Sequence, residues 1–181
     1  MIMRTSSLDH LIGCIGETVS SIGQDVQEEF IDSLLSAEKV FIYGSGRSGL
    51  VGQLFAVRLV QIGLDVHFVG DMTTPIIGRN DLTVLVSNTG ETMSAVQTAN
   101  IARRIGSKVV SVTGNPSSKL AHASNLVIPV IHRSENDALY APLGTVFEDS
   151  VCIFFDSIVP CIMKKKGITE EDMRRRHAIW V

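Results

Sequence analysis

Twice in this chain a short apolar run ends in a turn rich in glycine, serine and threonine and opens directly into a helical pattern, at residues 41–49 and at 85–92. The surrounding sequence keeps the same rhythm. Strand patterns at 40–43, 66–69, 82–86, 109–112 and 126–130 alternate with helical patterns at 48–62, 92–105 and 118–122. Gly63 and Gly106 stand where left-handed C-terminal caps belong. Strands alternating with helices predict an α/β fold, a five-stranded parallel sheet with helices on both faces in a flavodoxin-like or Rossmann-like arrangement.

The flanking segments are helical. Leu8, Ile12, Ile15, Val19, Ile22, Val26, Phe30 and Leu34 form an apolar stripe over an N-terminal arm of about 5–37, read as one long helix and weakened by Gly13, Gly16 and Gly23. It packs on its own domain or serves as an oligomer arm. The helix at 48–62 has few polar positions (Gln53, Arg58 and Gln61) and is expected to be largely buried. Residues 131–143 are polar and irregular, as expected of a mobile loop near a site. A helix from about 145 runs toward 166, and Pro160 is expected to kink it or end it early. A short helix over about 169–177 closes the chain, with Thr169 as its N-cap. The whole of 1–181 reads as one domain.

Composition removes several classes of function. With 45% apolar and 19% charged residues, the chain can bury a core. A net charge of −3 argues against a general nucleic-acid binder. No apolar run approaches the roughly 18–20 residues of a membrane span, and no signal segment is visible. The three cysteines (Cys14, Cys152, Cys161) show no paired spacing and read as buried thiols of a cytoplasmic protein. The five histidines show no pair at ligand spacing, so no metal site is expected.

The two turns carry the chemistry. Gly44, Ser45, Gly46, Arg47, Ser48 and Gly49 match a GxGxxG pattern between strand and helix, and Asp71 follows the second strand. Alone, these residues suit a dinucleotide. The second turn adds Ser87, Asn88, Thr89, Gly90, Glu91 and Thr92 at another helix start. Backbone N–H groups, hydroxyls and the positive helix end can hold a phosphomonoester without lysine. Local helix capping is the competing explanation for such residues. Arg47, at a helix start, needs an anionic partner, either a substrate oxygen or an acid such as Asp71. Glu148 continues an apolar face formed with Val151, Cys152 and Phe155. A carboxylate there is costly to desolvate and is a candidate base.

This pair of turns resembles the SIS (sugar isomerase) domain, and the closer resemblance is to the 6-phospho-3-hexuloisomerase family. The residues that carry it are 44–49, 69–71 with 73–75, 87–92, 141–145 with Phe147 and Glu148, and 176–178. Asn88 departs from a position where glycine is common, Asp71 from one where glutamate is frequent, and 179–181 from the usual tail. The resemblance implies conversion of D-arabino-hex-3-ulose 6-phosphate to D-fructose 6-phosphate through an enediol, in formaldehyde assimilation or pentose phosphate supply. No cofactor or metal is demanded. It further implies a homotetramer, with Glu148 and His177 catalytic. Gly44, Ser45, Gly46, Arg47, Ser48, Ser87, Asn88, Thr89, Gly90 and Thr92 would bind the substrate, with Ser45 and Ser48 candidates for sugar hydroxyls and Ser87, Thr89 and Thr92 for the phosphate. His177 would shuttle protons in its own or a neighbouring subunit's site. The alternatives are another phosphosugar aldose–ketose isomerase, a non-catalytic phosphosugar sensor, or an NAD-binding protein.

Overall fold

The computed structural model describes residues 2–177; Ala178 of the terminal motif and the tail 179–181 lie outside the described residues. Two helices, α1 (Ile2–Ser20) and α2 (Gln24–Ser36), precede β1 (Val40–Gly44), α3 (Gly46–Ile62) and β2 (Val66–Phe68). Then come β3 (Leu82–Val86), α4 (Met93–Ile105), β4 (Lys108–Thr113), α5 (Lys119–His122) and β5 (Leu126–Pro129). A short α6 (Asp137–Tyr140) and a 3₁₀ turn (Pro142–Gly144) lead into α7 (Thr145–Lys166) and α8 (Glu170–Arg175).

The sheet is all-parallel in the order β2-β1-β3-β4-β5. That is the flavodoxin-like order, whose winding reverses between β1 and β3. Strand period decides which side each residue serves. Leu82, Val84 and Val86 of β3 join the larger core under α2, α3 and α7, while Leu85 joins Ala95, Ala99 and Leu120 on the opposite face. Four phenylalanines lock the larger core. Phe55 and Phe155 stack at 3.9 Å with planes 6° apart, and Phe30 and Phe154 pack beside them at about 6 Å. Such offset aromatic contacts add to the burial they accompany.

Several expectations are corrected. The N-terminal arm is two helices, parted at 21–23 beside Gly23, with Ile22 buried at the break. Leu8 and Ile12 of the stripe are exposed on α1, so that part of the stripe does not pack on its own domain. Helix α3 buries only one face, through Gly52, Phe55, Leu59 and Ile62; Leu50, Leu54, Val57 and Val60 face outward. Helix α7 does not end at Pro160. The proline and Asp156, whose carbonyl loses its N–H partner, both lie on the exposed side, while Ile158, Val159 and Ile162 keep the buried face continuous. Residues 131–136 are irregular as expected, while the rest of the segment is built into α6 and the 3₁₀ turn, ending in two left-handed residues, Leu143 (φ 59°) and Gly144 (φ 82°). All three cysteines are free thiols, but Cys161 is exposed and the other two half-buried, so none is the fully buried thiol expected. Thr169 does cap α8, in a reciprocal box with Asp172.

The entry to α3 depends on two glycines meeting back to back. A Cβ at Gly49 would lie 2.5 Å from the Gly44 carbonyl oxygen, and one at Gly44 would lie 2.8 Å from the Gly49 nitrogen. Both neighbours are backbone, so nothing can yield cheaply. Gly49→Ala should therefore destabilise the fold by about 2 kcal/mol or more. Gly16→Ala, in open space on α1, should stabilise it by roughly 0.5–1 kcal/mol. Denaturant unfolding of the two variants beside the parent measures both; equal midpoints would refute the steric account.

Candidate functional site

Parallel register brings the two turns together. Gly44, the last residue of β1, pairs with Val86, the last of β3. Residues 44–49 and 87–92 thus leave adjacent strands at their carboxyl ends, at the point where the winding reverses. Open α/β sheets place ligands in that crevice. The turns differ in construction. Gly46 takes φ 57° to swing the chain into α3. Gly90 takes φ 64°, and a Cβ there would lie 2.0 Å from Ser118 Oγ. Only glycine satisfies both the dihedral and the space.

Local capping does not account for the hydroxyls that flank the helices. Ser45 and Thr92 occupy the N-cap positions of α3 and α4, yet neither side chain caps its helix. Thr92 Oγ1 instead lies 3.2 Å from Ser87 Oγ, which accepts the Gly90 N–H at 3.2 Å. Thr89 Oγ1 accepts from the Glu91 N–H. The second turn is thus internally braced, and its outer edge is tied down by Glu91, paired with Lys119 at 2.8 Å. The exposed Lys119 ammonium holds the Glu91 carboxyl below the usual range. The α4 first turn presents backbone donors and the positive end of a helix of thirteen residues.

Asn88 links three segments. Its backbone carbonyl accepts from the Gly114 N–H at 3.0 Å and from Thr113 Oγ1 at 3.3 Å. Its side chain fills the space over two glycines: a Cβ on Gly114 would lie 2.4 Å from Oδ1, and one on Gly144 2.7 Å from Nδ2. The asparagine that departs from the small residue of the resemblance thus joins the 87–92 turn to the end of β4 and the start of α7. Asn88 also lines a cavity of about 470 Å³ with His132, Asp137, Pro142, Gly144 and Phe147.

Glu148 sits in the first turn of α7 and is only 8% exposed. The desolvation cost expected of this carboxylate is met by Arg47: its Nε donates to Glu148 Oε2, and its Nη2 reaches Asp149 Oδ1 at 3.9 Å. The acid that answers Arg47 is therefore Glu148, with Asp149 behind it, and not Asp71. The pairing raises the guanidinium pKa further above its ordinary value. The Arg47 side chain is 59% exposed, so the pair has one dry partner and one that water can reach. Through it, the proposed base is held at the mouth of the first turn.

His177 is not in this group. It is exposed and lines a groove along the outer side of α3 with Gln53, Val57, Val60, Asp71 and Arg176. Ser45 and Ser48 flank Arg47, with Ser48 buried and Ser45 exposed. Sequence spacing missed one grouping entirely: His10 and His132 lie far apart along the chain, yet both bond to Asp137 at 3.0 Å, with Cys14 nearby. The only signal in the sequence was His10 and Cys14 one helical turn apart.

Comparison with known proteins identifies the family of the chain. The SIS domain family matches residues 33–147. A 3-hexulose-6-phosphate isomerase of Bacillus subtilis is 31% identical over 179 residues, covering 96% of this chain and 97% of its own length. One from Methanocaldococcus jannaschii is 35% identical over 150 residues, covering 83% and 81%. A Methanococcus jannaschii crystal structure, reported as implying 3-hexulose-6-phosphate isomerase function, superposes with a TM-score of 0.85 at 29% identity, covering 94% of this chain and 98% of the other. The chain belongs to the SIS-domain family, on the branch of the 6-phospho-3-hexuloisomerases, also named 3-hexulose-6-phosphate isomerases.

Proposed function

We infer that this chain is a 3-hexulose-6-phosphate isomerase, converting D-arabino-hex-3-ulose 6-phosphate to D-fructose 6-phosphate. The observation that carries the reading is the buried Glu148, held by Arg47 beside two hydroxyl-lined turns at the switch point of the sheet. Relatives of that name cover most of the chain. The reaction moves the carbonyl from C3 to C2. A base takes the proton from C2, an enediol forms across C2 and C3, and a proton returns at C3.

In our reading the phosphate docks on Ser87, Asn88, Thr89, Gly90 and Thr92, against the first turn of α4. Ser45, Ser48 and the backbone at Gly44 and Gly46 receive sugar hydroxyls. The anchored phosphate then fixes C2 and C3 relative to the Glu148 carboxylate, turning a bimolecular proton transfer into a positioned one. Arg47, exposed enough to turn, shifts part of its charge from Glu148 to the enediolate oxygen as negative charge grows there. As Glu148 takes the C2 proton it loses its own charge, so the guanidinium can follow the charge to the oxygen. No step in this scheme calls for a redox cofactor.

We propose further that the active form is a homo-oligomer, a tetramer by resemblance. Leu50, Leu54, Val57 and Val60 leave an apolar face of α3 open, and the groove beside it holds His177. Covering that face with a second chain would bring His177 to a partner's site. We place the enzyme in the cytoplasm, in formaldehyde assimilation or pentose phosphate supply. The free thiols suit a reducing compartment, and among the described residues no helix is long and apolar enough to cross a membrane.

Three experiments test the reading. Glu148→Gln should lower kcat by about 10²–10⁴-fold with KM for fructose 6-phosphate little changed. Parent-like turnover would remove Glu148 as base. Ser87→Ala with Thr89→Ala should raise KM roughly tenfold or more, as lost hydrogen bonds to a charged group imply; unchanged KM would take the phosphate elsewhere. Mixed oligomers of Glu148→Gln and His177→Gln chains should regain activity that neither variant has alone. No recovery on mixing would place His177 in its own chain's site, or outside the chemistry.

A further inference from the structure

The segment that walls the cavity beside the candidate site is tied to the N-terminal arm by a compact set of ligand-bearing side chains. His10 and Cys14 stand one turn apart on α1, so they project from the same face. His132 and Asp137 come from the segment between β5 and the 3₁₀ turn. Asp137 Oδ1 lies 3.0 Å from His10 Nε2 and 3.0 Å from His132 Nε2. Cys14 Sγ lies 3.7 Å from His10 Nε2. Ligand atoms of His10, Cys14 and His132 all fall within 4.8 Å of one another.

We propose that His10, Cys14, His132 and Asp137 form a four-ligand site for a zinc-class divalent ion, bolting α1 to the wall of the substrate cavity. The spacing fits. A tetrahedral ion with bonds of 2.0–2.3 Å sets its ligand atoms roughly 3.3–3.7 Å apart; His10, Cys14 and His132 already lie within 4.8 Å of one another, and Asp137, outside that group but in contact with both imidazoles, would turn its carboxylate to complete the set. The donor set fits as well. Two imidazoles, a thiolate and a carboxylate match zinc or cobalt, whereas magnesium and calcium take oxygen ligands.

The surroundings are those of a held site. The side chains of His10 and His132 are 13% and 14% exposed, and that of Asp137 is 29% exposed. Tyr140 packs its ring 5.5 Å from that of His10, and its carbonyl accepts a hydrogen bond from Ser7 Oγ at 2.8 Å. Without an ion, a single carboxylate oxygen serves both imidazoles, and Cys14 has no role in that pairing. An ion gives all four groups one centre. With every ligand position filled by protein, the site has no open position for water or substrate, so its role is structural. His132 and Asp137 also line the cavity with Asn88, so the ion would set the position of that wall. The site stands whether or not the isomerase reading holds.

The full-length chain, stripped with a chelator, is titrated with cobalt(II) alone and then with zinc(II). The expected result is one cobalt per chain with the visible bands of tetrahedral coordination and a near-ultraviolet sulfur-to-cobalt band, both lost as zinc displaces it. Cys14→Ser should abolish the sulfur band. His132→Gln should weaken binding by more than the roughly 10–100-fold typical of changes behind the ligands. The double variant Cys152→Ser, Cys161→Ser should match the parent, and bound zinc should raise the parent's thermal midpoint but not that of His132→Gln. Circular dichroism of the stripped variants checks that each is folded. No tetrahedral cobalt in the parent, or an unchanged spectrum and affinity in both Cys14→Ser and His132→Gln, would overturn the site.

Discussion

The parallel pairing of β1 with β3 is the constraint on which the rest of the site depends. Matching the ends of these strands, Gly44 against Val86, forces two strand-to-helix turns to leave the sheet side by side. Everything that follows is a consequence of keeping that junction tight. Gly44 and Gly49 meet without side chains so that α3 can start at once, and Gly90 lets the second turn pass under Ser118. The helix starts then aim their unpaired N–H groups into one crevice. A net-acidic chain can hold an anion there, because the attraction is local to the crevice and owes little to total charge.

Arg47 shows how one interaction can serve both fold and chemistry. A cation in the first turn of α3 opposes the helix dipole, so it persists only with an anion close by. Glu148 is that anion, and its burial would be equally unfavourable without the guanidinium. Each residue excuses the other, and together they join α3 to α7 at the edge of the turn. A carboxylate held this way is positioned without being buried beyond use.

Much of this was legible in the sequence because it rests on local rules. Strand–turn–helix periodicity located five strands, and the left-handed caps at Gly63 and Gly106 lie where glycine punctuates the pattern. Arg47's need for a partner was visible from its place at a helix start, though which acid would answer was not. The misses share a physical reason: each depends on what is packed alongside. The apolar residues of α3 read as buried because periodicity reports amphipathicity without naming the covering surface. Pro160 read as a break because a helix interior is usually hostile to it. Here the cost falls on the exposed side, while the aromatic core holds the other. His10 and His132 could not be joined from spacing, since only the fold brings α1 to the segment after β5.

The uncovered face of α3 and the location of His177 bear on the same question. The described fold gathers the sheet ends and the start of α7 around one crevice. The proposed acid–base histidine lies on the far side of α3, next to apolar side chains that water should not solvate. The proposed packing of another copy against α3 would bury Leu50, Leu54 and Val57 and could set a neighbour's α8 beside the crevice. On this reading, assembly would be part of the catalytic design: the hydrophobic face would supply the free energy, and a neighbour's terminal helix would supply His177.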